Sequence, residues 1–470
     1  MGWAGVALKY DVVIVGCGPA GIFTALELSL YGGLEVVMFD KGLDVDQRHC
    51  PANRGLGCLK CDPCSLLNGW GGSGAFSDGK LTLSPEVGGW LNEYVNNEEL
   101  SKLIDYVDKV YVKFGAPEKV YGTDVDRVEE LRSKALLAGL RLIPVKLRHL
   151  GTERCIEELK AMKRSLEGKA EVRLGEEVAH VIAEGGSVKG VELRSGEVVE
   201  GRYVVLAPGR GGASWLRGEA ERLGLRLSNN PVDVGVRVEV PAYVMEPLSD
   251  ALYEPKFVYY SKTFDDKVRT FCFNPHGEVI SECYDGVITV NGRSYVDKRT
   301  DNSNFAILVS TSFTEPFKEP IAYGRYLASL ANLLSGGVIV QRLGDLKAGR
   351  RSTWERIKRN LVEPTLKAAT PGDLSFVLPY RYLTDIMEML KALDEVAPGV
   401  YANHTLLYGV EVKFYSSRLE LSNKLETKIR GLFAIGDGAG VTRSLVQASA
   451  SGVIVAREIL RREGAELKPR

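Results

Sequence analysis

The sequence predicts an α/β fold: a parallel sheet wrapped by helices and extended by a β-meander, plus a second α+β domain. Three observations carry this expectation. The apolar run Val12-Val13-Ile14-Val15 passes directly into Gly16-Cys17-Gly18-Pro19-Ala20-Gly21, then an amphipathic helix, then a second run, Glu35-Val36-Val37-Met38-Phe39-Asp40. Short alternating runs broken by Gly-Gly and Ser-Gly occupy residues 170–206, as a meander requires. Residues 226–394 alternate strand and helix patterns with no second glycine fingerprint. At 470 residues the chain is long enough for two to four domains, and 45% apolar with 26% charged residues excludes disorder and coiled coil. Sixty basic against 61 acidic residues leave a net charge of −1, which disfavours any chain-wide grip on a polyanion. Glycine is in excess, 51 residues or about 11% against a usual value of roughly 7%. It is clustered, so it should mark places where backbone approaches a ligand.

Each element has a local reason. Gly16 permits the sharp turn after the first strand, and Gly18 lets the backbone close on a pyrophosphate at the N-terminus of the helix opened by Pro19 and Ala20. Gly21 allows close packing of that helix on the strand, and Asp40, followed by Lys41, stands where a carboxylate accepts ribose hydroxyls. Strand, glycine turn, helix and acid in register make this a Rossmann-like dinucleotide fingerprint. Residues 91–159 are charged and helical in pattern, with Val107, Val110, Tyr111 and Phe114 at helical spacing, and are expected to form a helical insertion. The meander begins at Val178 and ends in Tyr203 to Leu206, followed by Ala207-Pro208-Gly209. Near the C-terminus a strand at 431–435 runs into Gly436-Asp437-Gly438-Ala439-Gly440 and a helix of small residues. The expected domains are therefore 1–90 with 160–225 and 395–470, the insertion 91–159, and a substrate domain 226–394.

Three strands ending in glycine turns resemble the FAD-binding flavoproteins of the glutathione-reductase-like superfamily. That resemblance implies FAD in the first domain, Asp437 accepting from the ribityl chain, and helix amides around Val446, Gln447 and Ala448 aimed at the flavin N1–C2=O edge. The loop at Gly69 to Leu81 falls where the superfamily covers the isoalloxazine ring; Ser73, Gly74 and Ala75 stand where disulfide reductases carry cysteines, leaving the ring face open beside Gly72 to Ala75. Pro208 replaces the usual threonine. The combination of GWGGSGAFSDGKLTLS, VRTFCFNPHGEVI, RLGDLKAGRRSTWERI, LLYGVEVKFYSSRLEL and GLFAIGDGAGVTRSLVQASASGVIVA is similar to an uncharacterised family of FAD-dependent dehydrogenases of bacteria and archaea. The resemblance implies a flavin and a redox role but no substrate.

Four of eight cysteines, Cys50, Cys58, Cys61 and Cys64, fall within fifteen residues. Two-residue spacings suit zinc or an iron–sulfur cluster, but disulfides and packing cysteines remain open at this level. Glutamine is nearly absent, as in heat-adapted proteins. Cys272 reads as a small buried hydrophobe; Asn274, His276, Asn302 and Asn304 read as turn builders or substrate contacts, and of five histidines His276 and His404 are the candidates for a general base. The basic stretch from Arg342 to Arg359 reads as a solvated helix face or an anion site. The expected function is hydride transfer between FAD and a small-molecule substrate, with NAD(P)H, if used, binding transiently. Alternatives are a prenyl-reductase-like enzyme acting on a lipid, and a non-catalytic FAD-binding partner in RNA modification. No nucleic-acid partner and no integral membrane association are expected, and the opening residues suggest a cytoplasmic protein.

Overall fold

The computed structural model describes residues 8–51, 59, 61–228, 230–284, 286–295, 299–311, 313, 319–413 and 416–465. The chain divides into two compact units: residues 1–118 with 148–230 and 416–470, and residues 119–147 with 231–415.

The first unit is built on a seven-stranded sheet. Five strands are parallel, in the order Glu171–Leu174, Val36–Asp40, Leu8–Val15, Val198–Leu206 and Leu432–Ala434. The antiparallel strands Val178–Glu184 and Ser187–Leu193 extend it as the meander. The first strand alternates side chains between two cores: Val12 and Ile14 enter one, Val13 and Val15 the other. A sheet covered on both faces explains why the run is apolar without a polar alternate.

Helices Pro19–Ser29 and Leu445–Arg462 cross on one face of this sheet. They meet backbone to backbone. A Cβ at Gly452 would lie 2.2 Å from the Ala20 carbonyl oxygen and 2.9 Å from the Thr24 amide. Thr24 Oγ1 donates to Ala20 O within its own helix at 2.9 Å and reaches across the crossing to Gly452 O at 3.4 Å, and Arg457 pairs with the buried Glu27 at 2.7 Å.

The expected insertion at 91–159 is not one body. The helix Asn97–Lys113 places Leu100, Leu103, Ile104 and Val107 in the core of the first unit, and its Tyr111 ring lies 5.1 Å from Phe23. Thr152–Leu166 packs in the same core through Cys155, Leu159 and Met162. Residues 119–147 belong to the second unit, where strand Arg141–Ile143 pairs with Lys256–Tyr260. Their apolar stripes face different cores, which a shared helical periodicity does not reveal.

The second unit is an eight-stranded sheet centred on Val232–Pro241, which pairs antiparallel with Asn302–Thr311 on one side and Leu406–Lys413 on the other. Val232, Val234, Val236, Val238 and Val240 point to a core that also holds helices Ala242–Leu252 and Tyr380–Asp394. The alternate residues Asp233, Arg237 and Glu239 point to the other face and are buried too.

Two expected outcomes follow from the first unit. Gly452→Ala improves helix propensity by about 1 kcal/mol, yet its methyl meets a backbone carbonyl that cannot yield. A net loss of stability of about 1–3 kcal/mol, seen as a lower melting temperature in circular dichroism, is expected. Glu158 is 3% exposed, its Oε1 has no hydrogen-bond partner, and burial raises its pKa to about 8. The folded state therefore keeps this proton between the ordinary carboxyl range and about 8, while the unfolded state has lost it. Stability conferred by the group is complete below the unfolded pKa and falls as pH rises through that window. Glu158→Gln should match wild type near pH 5 and exceed it by on the order of a few kcal/mol near pH 8 in urea unfolding.

Candidate cofactor cradle and polar sheet face

At the carboxyl ends of the parallel strands the three predicted glycine turns come together. Gly16, at φ +109°, lies so close to the second turn that a Cβ there would be 2.0 Å from Ala207 O. A Cβ at Gly21 would be 2.0 Å from Gly16 O, one at Gly438 2.6 Å from Gly209 O, and one at Gly436 3.1 Å from Ala20 Cβ. Gly72 sits on Gly18, with a would-be Cβ 3.0 Å from its Cα, while Gly74 packs on Pro19 and Leu445. Ser73 lies in the same short 3-10 turn, Gly72–Phe76. By contrast, a Cβ at Gly18 would have no neighbour nearer than 3.8 Å, and one at Gly209 none within 4 Å. A Cβ at Gly18 would thus make only an ordinary contact, while Gly209 is open but held at φ +60°, which itself calls for glycine.

A cleft here is lined by Gly16, Asp40, Lys41, Val178 and Pro208, all expected from the sequence. Asn68, Glu176 and Glu177, from loops of ordinary composition, and Trp215, from the helix Ala213–Arg222, also line it and were not foreseen. Lys41 Nζ lies 4.0 Å from Glu177.

Asp40 does more than await a ribose. Its Oδ2 accepts from Cys17 N–H at 2.9 Å, and its Oδ1 accepts from Gly42 N–H at 2.9 Å and Gly69 N–H at 2.7 Å. A carboxylate offers about four acceptor sites, so one remains for a ligand hydroxyl. Arg48, which carried no motif, completes this clasp. It is 4% exposed, and its guanidinium donates to Ser65 O, Trp70 O and Gly72 O at 2.7–2.8 Å. Burial lowers its pKa to about 10.

The C-terminal helix corrects one expectation. Ser444 caps it, accepting the Gln447 N–H at 3.2 Å, and Ala448 N–H donates to Ser444 O at 2.9 Å. The Gln447 side chain turns to Val87 O at 3.1 Å. Donors for a ligand therefore come from the first helical positions, Leu445 and Val446, rather than from Gln447 and Ala448. Asp437 is half-buried and accepts from Thr442 Oγ1 at 2.7 Å; desolvation pushes its carboxyl pKa up.

Cys50 and Cys64 are half-buried, Cys61 is exposed, and Cys58 lies outside the described residues. The described cysteines form no disulfide. Among the described residues no group of three or more His, Cys, Asp or Glu is placed to hold a metal ion.

In the second unit the weaker candidates sort into two places. Cys272, Asn274 and Asn304 belong to a network around the fully buried Arg237, on the polar face of the sheet. Arg237 donates to Asn304 Oδ1 at 2.8 Å and Cys272 O at 2.6 Å, and pairs with Glu411 at 3.3 Å. Cys272 is thus no simple core hydrophobe: it is partly exposed and sits at φ +48°, where the strand bulges. Strained backbone of this kind clusters at functional sites. His276, Asn302 and His404 line a separate pocket of about 410 Å³ with Tyr243 and Glu246. His276 Nδ1 faces Thr300 O at 3.0 Å and its Nε2 lies 3.4 Å from Glu246. Burial lowers the His404 pKa. The basic stretch carries its own anion: Arg350, Arg342 and Arg356 approach the buried Asp345 at 2.9, 3.7 and 3.8 Å. No helix among the described residues is long and apolar enough to cross a membrane.

Residues 231–414 match the protein family described as "FAD-dependent protein, C-terminal domain-like". A protein of Clostridium beijerinckii, described as an uncharacterized protein, is 27% identical over 479 aligned positions, covering 96% of this chain and 81% of its own. Among solved structures, glycine oxidase from Geobacillus kaustophilus aligns over 98% of this chain and 96% of its own with 13% identity and a TM-score of 0.41. L-proline dehydrogenase from P. horikoshii aligns over 98% and 95% with 12% identity and a TM-score of 0.41. Likenesses of that size say nothing of chemistry. The family match stands on its own: the second unit is similar to the C-terminal domain of FAD-dependent proteins.

Proposed function

We propose that the protein is an FAD-dependent oxidoreductase acting on a small-molecule substrate. The observation that carries this reading is Gly18, an uncrowded glycine in ordinary extended conformation, beside glycines that the fold itself requires. A Cβ at Gly16, Gly21 or Gly438 collides with protein; one at Gly18 does not. Glycine at Gly18 answers to something outside the chain, and a pyrophosphate at a helix N-terminus is the ligand that this strand–turn–helix unit accommodates.

FAD bound here would supply two-electron redox chemistry. The chain's own residues then divide the work. Gly18 and the first turn of Pro19–Ser29 would bind the pyrophosphate, and the remaining acceptor site of Asp40 would take a ribose hydroxyl. Asp437 would accept from the ribityl hydroxyls, and the Leu445 and Val446 amides would place positive potential at the carbonyl edge of the ring. Gly72 to Gly74 would leave the ring face without a bulky side chain. In the absence of a second glycine fingerprint, NAD(P)H, if it is the reductant, binds in the substrate site.

Gly18→Ala tests the reading. The variant should fold with an unchanged melting temperature in the FAD-free state and bind FAD at least tenfold more weakly, measured by fluorescence titration of the stripped protein. Wild-type protein without a flavin absorption band that also fails to take up added FAD would defeat the proposal. Anaerobic mixing with NADH or NADPH, followed at the flavin band, then identifies the reductant.

A further inference from the structure

The polar face of the second sheet presents an arrangement that internal pairing does not account for. Three cations from three strands gather about one aromatic ring: Arg269 lies 4.8 Å from the Phe271 centroid, and the Lys256 and Lys413 ammonium groups each lie 5.8 Å from it. Arg269 pairs with Asp233 at 2.5 Å and Lys256 with Glu254 at 2.6 Å. Among the described residues Lys413 has no carboxylate to itself. It pairs with Glu411 at 2.9 Å, and Glu411 already neutralises the fully buried Arg237. One buried carboxylate thus serves two cations, in surroundings where an uncompensated charge costs several kcal/mol. Lys413 keeps 13% of its side chain exposed and Arg269 19%, so both remain reachable.

Asn304 adds an independent sign. Its Oδ1 is held toward Arg237 Nε and accepts from Asn274 Nδ2 at 3.3 Å, which fixes the amide orientation. Its Nδ2 is buried and has no acceptor among the described residues. An unpaired buried donor in a native fold calls for an explanation, and a bound acceptor is one that fits a polar face. Surplus cation, orphan donor and apolar ring belong to one connected network.

We infer that this face binds an organic carboxylate, its charge against Lys413 and Arg269 and its apolar body against Phe271. The ring favours an organic anion over inorganic phosphate, because an apolar body gains contact with Phe271 that a purely ionic ligand does not. That this anion is the molecule oxidised or reduced rests on the flavin reading above; that it binds here does not.

The test is isothermal calorimetry on the protein as purified, in carboxylate-free buffer at constant ionic strength, with benzoate, benzyl alcohol and inorganic phosphate as probes. Flavin content is read separately from absorbance, so failure of the flavin reading leaves the binding result intact. Benzoate should saturate, with benzyl alcohol and phosphate at least tenfold weaker. Lys413→Met should weaken benzoate at least tenfold at an unchanged melting temperature. Phe271→Leu should weaken it about threefold, and decides the matter if Lys413→Met does not fold. No saturation up to about 10 mM benzoate, a Kd range near the weak limit of specific binding, overturns the inference. So does phosphate binding as tightly as benzoate, or unchanged affinity in the folded variants.

Discussion

The close crossing of the first and last helices of the first unit is the constraint on which its site depends. With the Ala20 carbonyl only 2.2 Å from where a Cβ of residue 452 would sit, the two axes approach as nearly as backbones allow. That approach sets the height of both helix N-termini above the sheet. Ser451, one residue before the contact, accepts from Gly436 N–H at 3.2 Å, so the crossing also fixes the last glycine turn. Turns separated by more than 400 residues of chain are thereby brought to one place.

Around this frame, charge is used as a clasp. Asp40 gathers the amides of Cys17, Gly42 and Gly69, and Arg48 gathers the carbonyls of Ser65, Trp70 and Gly72. A buried guanidinium is tolerable only when its donors are satisfied and a counter-charge is near. In the first unit burial lowers the Arg48 pKa, and the Asp40 carboxylate opposes that shift. Loops of glycine and small residues have little side chain to pack, so their shape has to come from such polar ties.

The second unit solves a different problem. Its central strands bury both faces, one apolar and one charged, and the charged face is held by ion pairs that cross strands: Arg237 with Glu411, Arg269 with Asp233. Strand alternation makes this inevitable once Val232 to Val240 are committed to the core. Asp345 plays the same part for the basic stretch, converting what reads as a free cationic patch into a satisfied internal cluster.

The amino-acid sequence by itself determined the parallel sheet, the meander, the three glycine turns and their convergence, because periodicity and glycine spacing are local properties that a dinucleotide turn demands. It also marked Cys272, Asn274, His276, Asn302, Asn304 and His404 as residues of interest without being able to group them. Only the tertiary structure decided that residues 91–159 divide between two cores, that Ser444 takes the amide expected of Gln447, and that Asp40 is already three-quarters engaged. It alone brought forward Arg48, Trp215 and the pairing of Lys413 and Arg237 on a single Glu411. These are long-range contacts of residues whose own neighbourhoods are unremarkable, and the partner of a buried charge is chosen by the packing of distant strands rather than by anything adjacent in the chain.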